Sequence, residues 1–152
     1  MKLIHAGVAD LALLAPMFDA YRQFYGQASD LDGSRRFLEK RLQNDESVVF
    51  AAVDESGDQG LGFVQLYPSF SSVSVSSTWI LHDLFVVPER RRTGVARALM
   101  EAARALAVET GADGLSLSTA TDNFGAQSLY ESLGYRRDEK FFYYFLSLDH
   151  PP

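Results

Sequence analysis

Arg90, Arg91, Arg92 and Arg97 gather around Gly94 in the stretch Val86-Val87-Pro88-Glu89-Arg90-Arg91-Arg92-Thr93-Gly94-Val95-Ala96-Arg97-Ala98-Leu99-Met100, where a β-branched run breaks at proline and a helical pattern begins. The first N–H groups of a helix have no partner inside it, and the aligned peptide dipoles add partial positive charge at that end. Four guanidinium groups there are unfavourable unless an anion offsets them, so the junction reads as a phosphate site in preference to a solvated basic linker. Gly94 permits a positive φ or close approach of the backbone to a ligand, and Ala96 leaves room beside the helix start. The Walker phosphate loop is absent, which argues against ATP hydrolysis, and without Gly-x-Ser-x-Gly nothing marks a serine hydrolase.

Just upstream, His82 and Asp83 interrupt the apolar run from Trp79 to Val87. Polar side chains in such a strand call for a reason, either internal hydrogen bonding or chemistry. The pleat predicts opposite faces for the two unless a bulge intervenes. An imidazole, with an ordinary pKa of about 6.5, suits proton acceptance near neutrality, whereas a carboxylate needs its pKa raised or a water relay. His82 therefore ranks narrowly above Asp83 as a base, and Asp83 is also a candidate anchor for a cation.

These residues need a scaffold, and 152 residues predict a single domain spanning 1–152 with one substantial core. Hydrophobic residues at 47% and charged residues at 22% describe an ordinary globular chain. The net charge of −6 argues against a nucleic-acid partner. The absence of cysteine excludes disulfides, thiolate metal sites and a cysteine nucleophile, and no motif calls for a metal. The N-terminal segment lacks the pattern of a signal peptide, and no run approaches the roughly 18 apolar residues of a membrane span, so no membrane partner and a cytoplasmic location are expected. His5 and His150 read as incidental.

Periodicity places a short strand at Leu3-Ile4, helices at about Asp10 to Tyr25 and Asp32 to Leu42, the latter capped by Asp32 or Ser34, and strands at Ser47 to Val53 and Leu61 to Tyr67. Gly57, Gly60 and Gly62 lack the order of a dinucleotide fingerprint and read as turn and strand glycines. The serine-rich stretch Pro68 to Ser77 fits either extended strands or an exposed loop. Then follow a strand at Trp79 to Val87, a helix at Val95 to Thr110, a strand at Leu115 to Thr119, a helix at Phe124 to Leu133 closed by Gly134, and a strand at Phe141 to Leu148. This order predicts an α/β (α+β) fold around a mixed sheet.

Arg91-Arg92-Thr93-Gly94-Val95-Ala96 resembles the Arg/Gln-x-x-Gly-x-Gly/Ala signature of the GNAT acetyltransferases, and Asn123-Phe124-Gly125-Ala126-Gln127-Ser128-Leu129-Tyr130-Glu131-Ser132-Leu133-Gly134-Tyr135 resembles the segment that follows it in that family. The resemblance spans nearly the whole chain and implies the GNAT fold, a mixed central β-sheet flanked by about four helices, with acetyl-CoA as cosubstrate. It implies a pyrophosphate on the amides of Arg91, Arg92, Thr93, Gly94, Val95 and Ala96, with Arg97 among the arginines near the CoA phosphates. It also implies pantetheine along the backbone of Leu84, Phe85 and Val86, and Asn123 near the cofactor as well as at its helix N-cap.

On the same resemblance Tyr130 is the general acid for the CoA thiolate, although its helical spacing alone reads as a core aromatic. A protonated amine has no lone pair, so a base is wanted, and His82 and Asp83 are the candidates. Tyr21 and Tyr25 would line the acceptor side. The region is similar to polyamine and other small-amine acetyltransferases, from which His82 departs by replacing the first of an acidic pair. The implied reaction is direct acetyl transfer to a small-molecule primary amine, polyamine or amino-acid-like. Alternatives are a protein or peptide lysine acetyltransferase and a non-catalytic acetyl-CoA sensor or interaction domain. A homodimer is an expectation from similar enzymes only.

Overall fold

The computed structural model describes residues 1–148, so His150 lies outside the described residues. The chain forms two compact units, Met1–Ser118 and the part from Thr119 onward. In the first unit the elements are β1 (Lys2–Ala6), α1 (Leu11–Phe24), α2 (Leu31–Gln43), β2 (Val48–Val53), β3 (Gly60–Ser71), β4 (Ser76–Val86), α3 (Val95–Glu109) and β5 (Leu115–Ser116). The strands lie in the order β1-β2-β3-β4-β5. The first four pair antiparallel, and β5 joins β4 in parallel through Trp79↔Leu115 and Ile80↔Ser116. This is the mixed sheet that the element order predicts.

One face of the sheet packs against α1 and α2. Leu11, Leu14, Met17 and Phe18 recur at helical spacing and bury against Leu38, Val49, Ala51, Phe63 and Phe85. The other face receives α3, whose buried stripe is Val95, Leu99, Met100, Ala103 and Ala107. Gly62 lets this layer close: a Cβ there would stand 2.6 Å from the Phe85 carbonyl oxygen and 3.2 Å from Val95 Cγ1. A side chain at position 62 would push β4 or α3 away.

Several expectations change. Asp30, and not Asp32 or Ser34, caps α2, its carboxylate accepting from the Gly33 N–H at 2.9 Å. Asp30 is in turn held by Asp19 at the end of α1. The buried Asp19 carboxylate accepts from Ser29 Oγ and from the Asp30 N–H, both at 2.7 Å. The Ser29 hydroxyl first, then the Asp30 amide, holds Asp19 below the ordinary carboxylate range. The serine-rich stretch extends β3 to Ser71 and opens β4 at Ser76, so the hairpin is longer than the apolar run.

The second unit contains α4 (Phe124–Ser132). The strand expected at Phe141 to Leu148 does not form; these residues have no regular structure, and Phe142, Tyr144 and Phe145 are each at least 90% exposed. Aromatic content marks a preference for pleated, half-buried surfaces, but a strand also needs a ladder partner, and none of β1 to β5 pairs with this segment.

Candidate functional site

The centre of the site is an irregularity in β4. Gln65 of β3 stands opposite Asp83, yet its neighbour Leu66 stands opposite Leu81, so His82 is an extra residue in the ladder. Such a bulge relaxes the strict alternation of faces, which is the condition under which adjacent strand residues can meet. They do meet: His82 Nδ1 lies 3.1 Å from Asp83 Oδ1. The expectation of opposite faces gives way to a His–Asp pair.

The partners differ sharply in exposure, the His82 side chain being 59% exposed and that of Asp83 only 6%. The other oxygen of Asp83, Oδ2, accepts from Gln65 Nε2 at 2.7 Å. A carboxylate can only accept, so the assigned hydrogen bond puts the proton of a neutral imidazole on Nδ1 and leaves Nε2 as an acceptor on the open side.

Aromatic side chains enclose this pair. The Tyr67 ring stands 5.1 Å from the His82 ring. Tyr21, projected from α1, packs edge-on against Phe63 at 5.8 Å and Phe85 at 6.3 Å, with Tyr25 at 5.1 Å on its other side. Burial, and then the charge of Asp83 and a hydrogen bond to it, drive the Tyr21 hydroxyl far above the usual phenol range. Burial and the same carboxylate push Tyr67 up to about 12, with Arg41 pulling weakly the other way. Both hydroxyls are thus held protonated beside a buried negative charge.

Tyr21 therefore lies beside Asp83, and Tyr25, 56% exposed, lies against it. Gln65 and Tyr67 were missed. The signal for Gln65 was present, since it is the one polar side chain in Leu61-Gly62-Phe63-Val64-Gln65-Leu66-Tyr67. What no local pattern reveals is its partner, 18 residues away in the chain.

The second half of the first unit's site is built from backbone. Pairing of β4 with β5 ends at Ile80↔Ser116, while β4 runs on to Val86. The Val87 N–H donates to the Leu61 carbonyl at 3.0 Å, which makes Gly62↔Val86 and Val64↔Leu84 the pairs whose N–H and C=O groups face away from β3. Leu84 and Val86 thus present groups along the outer edge, while those of Phe85 face β3. Beyond a short turn at Pro88–Arg90, Arg92 takes φ 60° and Gly94 φ 89°, and α3 begins with no side chain capping it. Successive amides with such left-handed residues among them form a concave donor surface suited to an anion.

Of the arginines, Arg91 turns back from this loop. Its Nε donates to the Val86 carbonyl at 3.1 Å, and its guanidinium lies 5.4 Å from the Phe24 ring and 5.9 Å from the Phe85 ring. Arg90, Arg92 and Arg97 are exposed around the helix start.

In the second unit, Asn123 caps α4, its side-chain oxygen accepting from the Ala126 N–H at 3.2 Å. Tyr130 occupies the last turn of α4, with its ring 6.1 Å from that of Tyr135. Gly134, at φ 94°, ends the helix in the left-handed conformation, and the Tyr135 N–H closes onto the Tyr130 carbonyl at 3.0 Å.

A strand whose pairing with β5 stops at Ile80, leading into an arginine-glycine loop at a helix start, is the scaffold of an acyl-CoA transferase. The acetyltransferase (GNAT) family profile matches residues 14–135, and the chain belongs to that family. It is an acetyl-CoA-dependent N-acetyltransferase.

The uncharacterized N-acetyltransferase YhfO of Bacillus subtilis (strain 168) is 47% identical over 148 residues, covering 97% of this chain and 98% of that one. A probable acetyltransferase of Haemophilus influenzae is 35% identical over 140 residues, covering 92% and 93%. The crystal structure of a probable acetyltransferase superposes with a TM-score of 0.93 at 46% identity, covering 99% of this chain and all of the other. The residues present fit the donor: outward backbone groups on Leu84 and Val86 suit an amide-bearing arm, and the start of α3, which no side chain caps, suits phosphate.

Proposed function

We propose that this acetyltransferase acts on a primary amine of a small molecule, polyamine or amino-acid-like, with His82 as the general base, Asp83 orienting it, and Tyr130 as the general acid. The observation that carries the reading is the exposed His82 bonded through Nδ1 to the buried Asp83. A buried carboxylate already accepting side-chain hydrogen bonds from Gln65, His82 and Tyr21 is poorly placed to collect a proton from an incoming ammonium. The His82 side chain, 59% exposed and bonded to Asp83 through Nδ1, is the better collector through Nε2.

Acetyl-CoA supplies a thioester whose acetyl carbon takes the amine nitrogen as the carbon–sulfur bond breaks. His82 Nε2 takes the proton that the amine must lose. Tyr130 holds the proton that the leaving sulfur needs, an assignment resting on the Asn123–Tyr135 motif and on the turn that fixes Tyr130 at the end of α4. The amides from Arg91 to Ala96, with Arg97 and Asn123, hold the phosphates and the adjoining arm, and the Leu84 and Val86 edge aligns the thioester. The aromatic set Tyr21, Tyr25 and Tyr67 beside Asp83 suits a cationic acceptor, since rings and a buried carboxylate both attract an ammonium group.

The test is CoA thiol release from acetyl-CoA against polyamines, amino acids, aminoglycosides and lysine peptides; the chain has no cysteine to add a background. Release with a small amine is the expected result. Preference for lysine peptides would replace the acceptor class, and tight acetyl-CoA binding with no release from any amine would make the protein a sensor.

A further inference from the structure

We infer that Gln65 is a positioning residue: its Nε2–H bond to Asp83 Oδ2 turns the carboxylate so that Oδ1 meets His82 Nδ1–H, fixing the imidazole tautomer that leaves Nε2 basic. The inference rests on the reading of His82 as the base, and it assigns the tautomer to a residue on a different strand.

Gln65 is fully buried, with 0% of its surface exposed. Its Nε2 is bonded at 2.7 Å, but its Oε1 is buried and has no hydrogen-bond partner among the described residues. Burying an amide oxygen unpaired is destabilising, and leucine in its place would avoid the cost in a layer already made of Phe63, Val49 and Ala51. Packing therefore does not account for glutamine at position 65. What it supplies is one strong donor to a buried carboxylate, at the point where the bulge places His82 and Asp83 together. Without that donor the carboxyl group can rotate about its own bond, and Oδ1 is no longer held toward the ring.

The groups facing Asp83 come from three elements. They are His82 on β4 itself, Gln65 and Tyr67 on β3, and Tyr21 on α1, while Arg41 on α2 reaches the same cluster through Tyr67. No cation other than His82 is bonded to the carboxylate among the described residues. The tautomer of His82 is therefore governed by how Asp83 is aimed, which Gln65 sets from β3 alongside the Tyr21 hydrogen bond from α1.

The experiment reads the ring ¹⁵N and ¹³C shifts of His82 in the unliganded protein, assigned by difference from His82→Gln, for wild type, Gln65→Leu and Gln65→Glu. The Nδ1–H tautomer is expected in wild type and a mixture with Nε2–H in Gln65→Leu. That variant leaves the buried Asp83 Oδ2 without its Gln65 donor and should melt lower than wild type, while kcat falls about tenfold, the scale of one net hydrogen bond, at unchanged KM for acetyl-CoA. Gln65→Glu keeps the shape but adds a carboxyl group beside Asp83. Its shared negative charge should favour imidazolium and move the acid limb of kcat/KM to higher pH.

An Nε2–H tautomer in wild type, or a Gln65→Leu protein whose His82 shifts and kcat both match wild type, would overturn the proposal. A destabilised Gln65→Leu protein with unaltered shifts would do so too, by making Gln65 merely structural. If His82→Gln retained full turnover, the base assignment would fall, while the ring shifts would still report whether Gln65 sets the tautomer.

Discussion

The arginine-glycine loop and the Asp83 cluster, proposed to take the donor and the acceptor, present polar groups with opposite materials. At Arg91 to Ala96 the polar groups are backbone amides in one short stretch with left-handed residues at Arg92 and Gly94, exposed from Arg91 to Gly94. Around Asp83 they are side chains from β3, β4 and α1, held in a layer where Asp83 is 4% exposed and Gln65 not at all. Backbone donors carry little identity beyond the φ angles they require, so one loop can serve a constant phosphate. Side-chain clusters change chemistry with every substitution, so they are where an acceptor is chosen.

If this contrast is sound, removing a proton-handling side chain should cost most and leave donor binding alone. His82→Gln should lower kcat with the preferred amine by about 10³-fold, within the usual range for positioned acid–base groups, while the acetyl-CoA dissociation constant measured by calorimetry stays within about twofold. A matching loss of acetyl-CoA affinity would dissolve the division between the two regions.

Tyr130→Phe should lower turnover by about 10²-fold with acetyl-CoA affinity nearly intact. Unchanged turnover would remove Tyr130 from the acid role. The converse change is Gly94→Ala at φ 89°, where a Cβ costs about 1–2 kcal/mol in the left-handed region. It should weaken acetyl-CoA binding roughly tenfold and leave the amine KM unmoved.

The smallest effect is on stability in alkali. Tyr67 titrates at about 12 when folded, above the ordinary phenol value of about 10, so the folded state favours the protonated form. That stabilisation is complete below pH 10 and is lost as pH rises through 12. Urea unfolding at pH 9 and pH 11 should therefore show a smaller alkaline loss for Tyr67→Phe than for wild type. An equal loss would mean that the Asp83 cluster does not hold this hydroxyl.

Much of this molecule is legible along the chain because its causes are local. Gly94 and Gly134 stand at positive φ where a helix begins or ends, Asn123 caps the helix that follows it, and the buried stripe of α3 repeats at helical spacing. The arginine-glycine loop is legible as the start of α3 for the same reason, and that is what its reading as an anion site rests on. His82 and Asp83 were conspicuous as polar residues in an apolar strand, but their relation was not, because it turned on one extra residue in a ladder.

The sequence by itself therefore determined the helices, the β2–β3 hairpin, the arginine-glycine loop and the family, since each depends on residues within a few positions of one another. Tertiary structure alone decided that His82 and Asp83 share a side, and that Gln65 and Tyr21 close around the carboxylate from 18 and 62 positions away. It also decided that Phe141 to Leu148, for all its aromatic content, forms no strand. The reason is common to all three: ladder register and burial are properties of pairs of segments, and no single segment carries its partner's position.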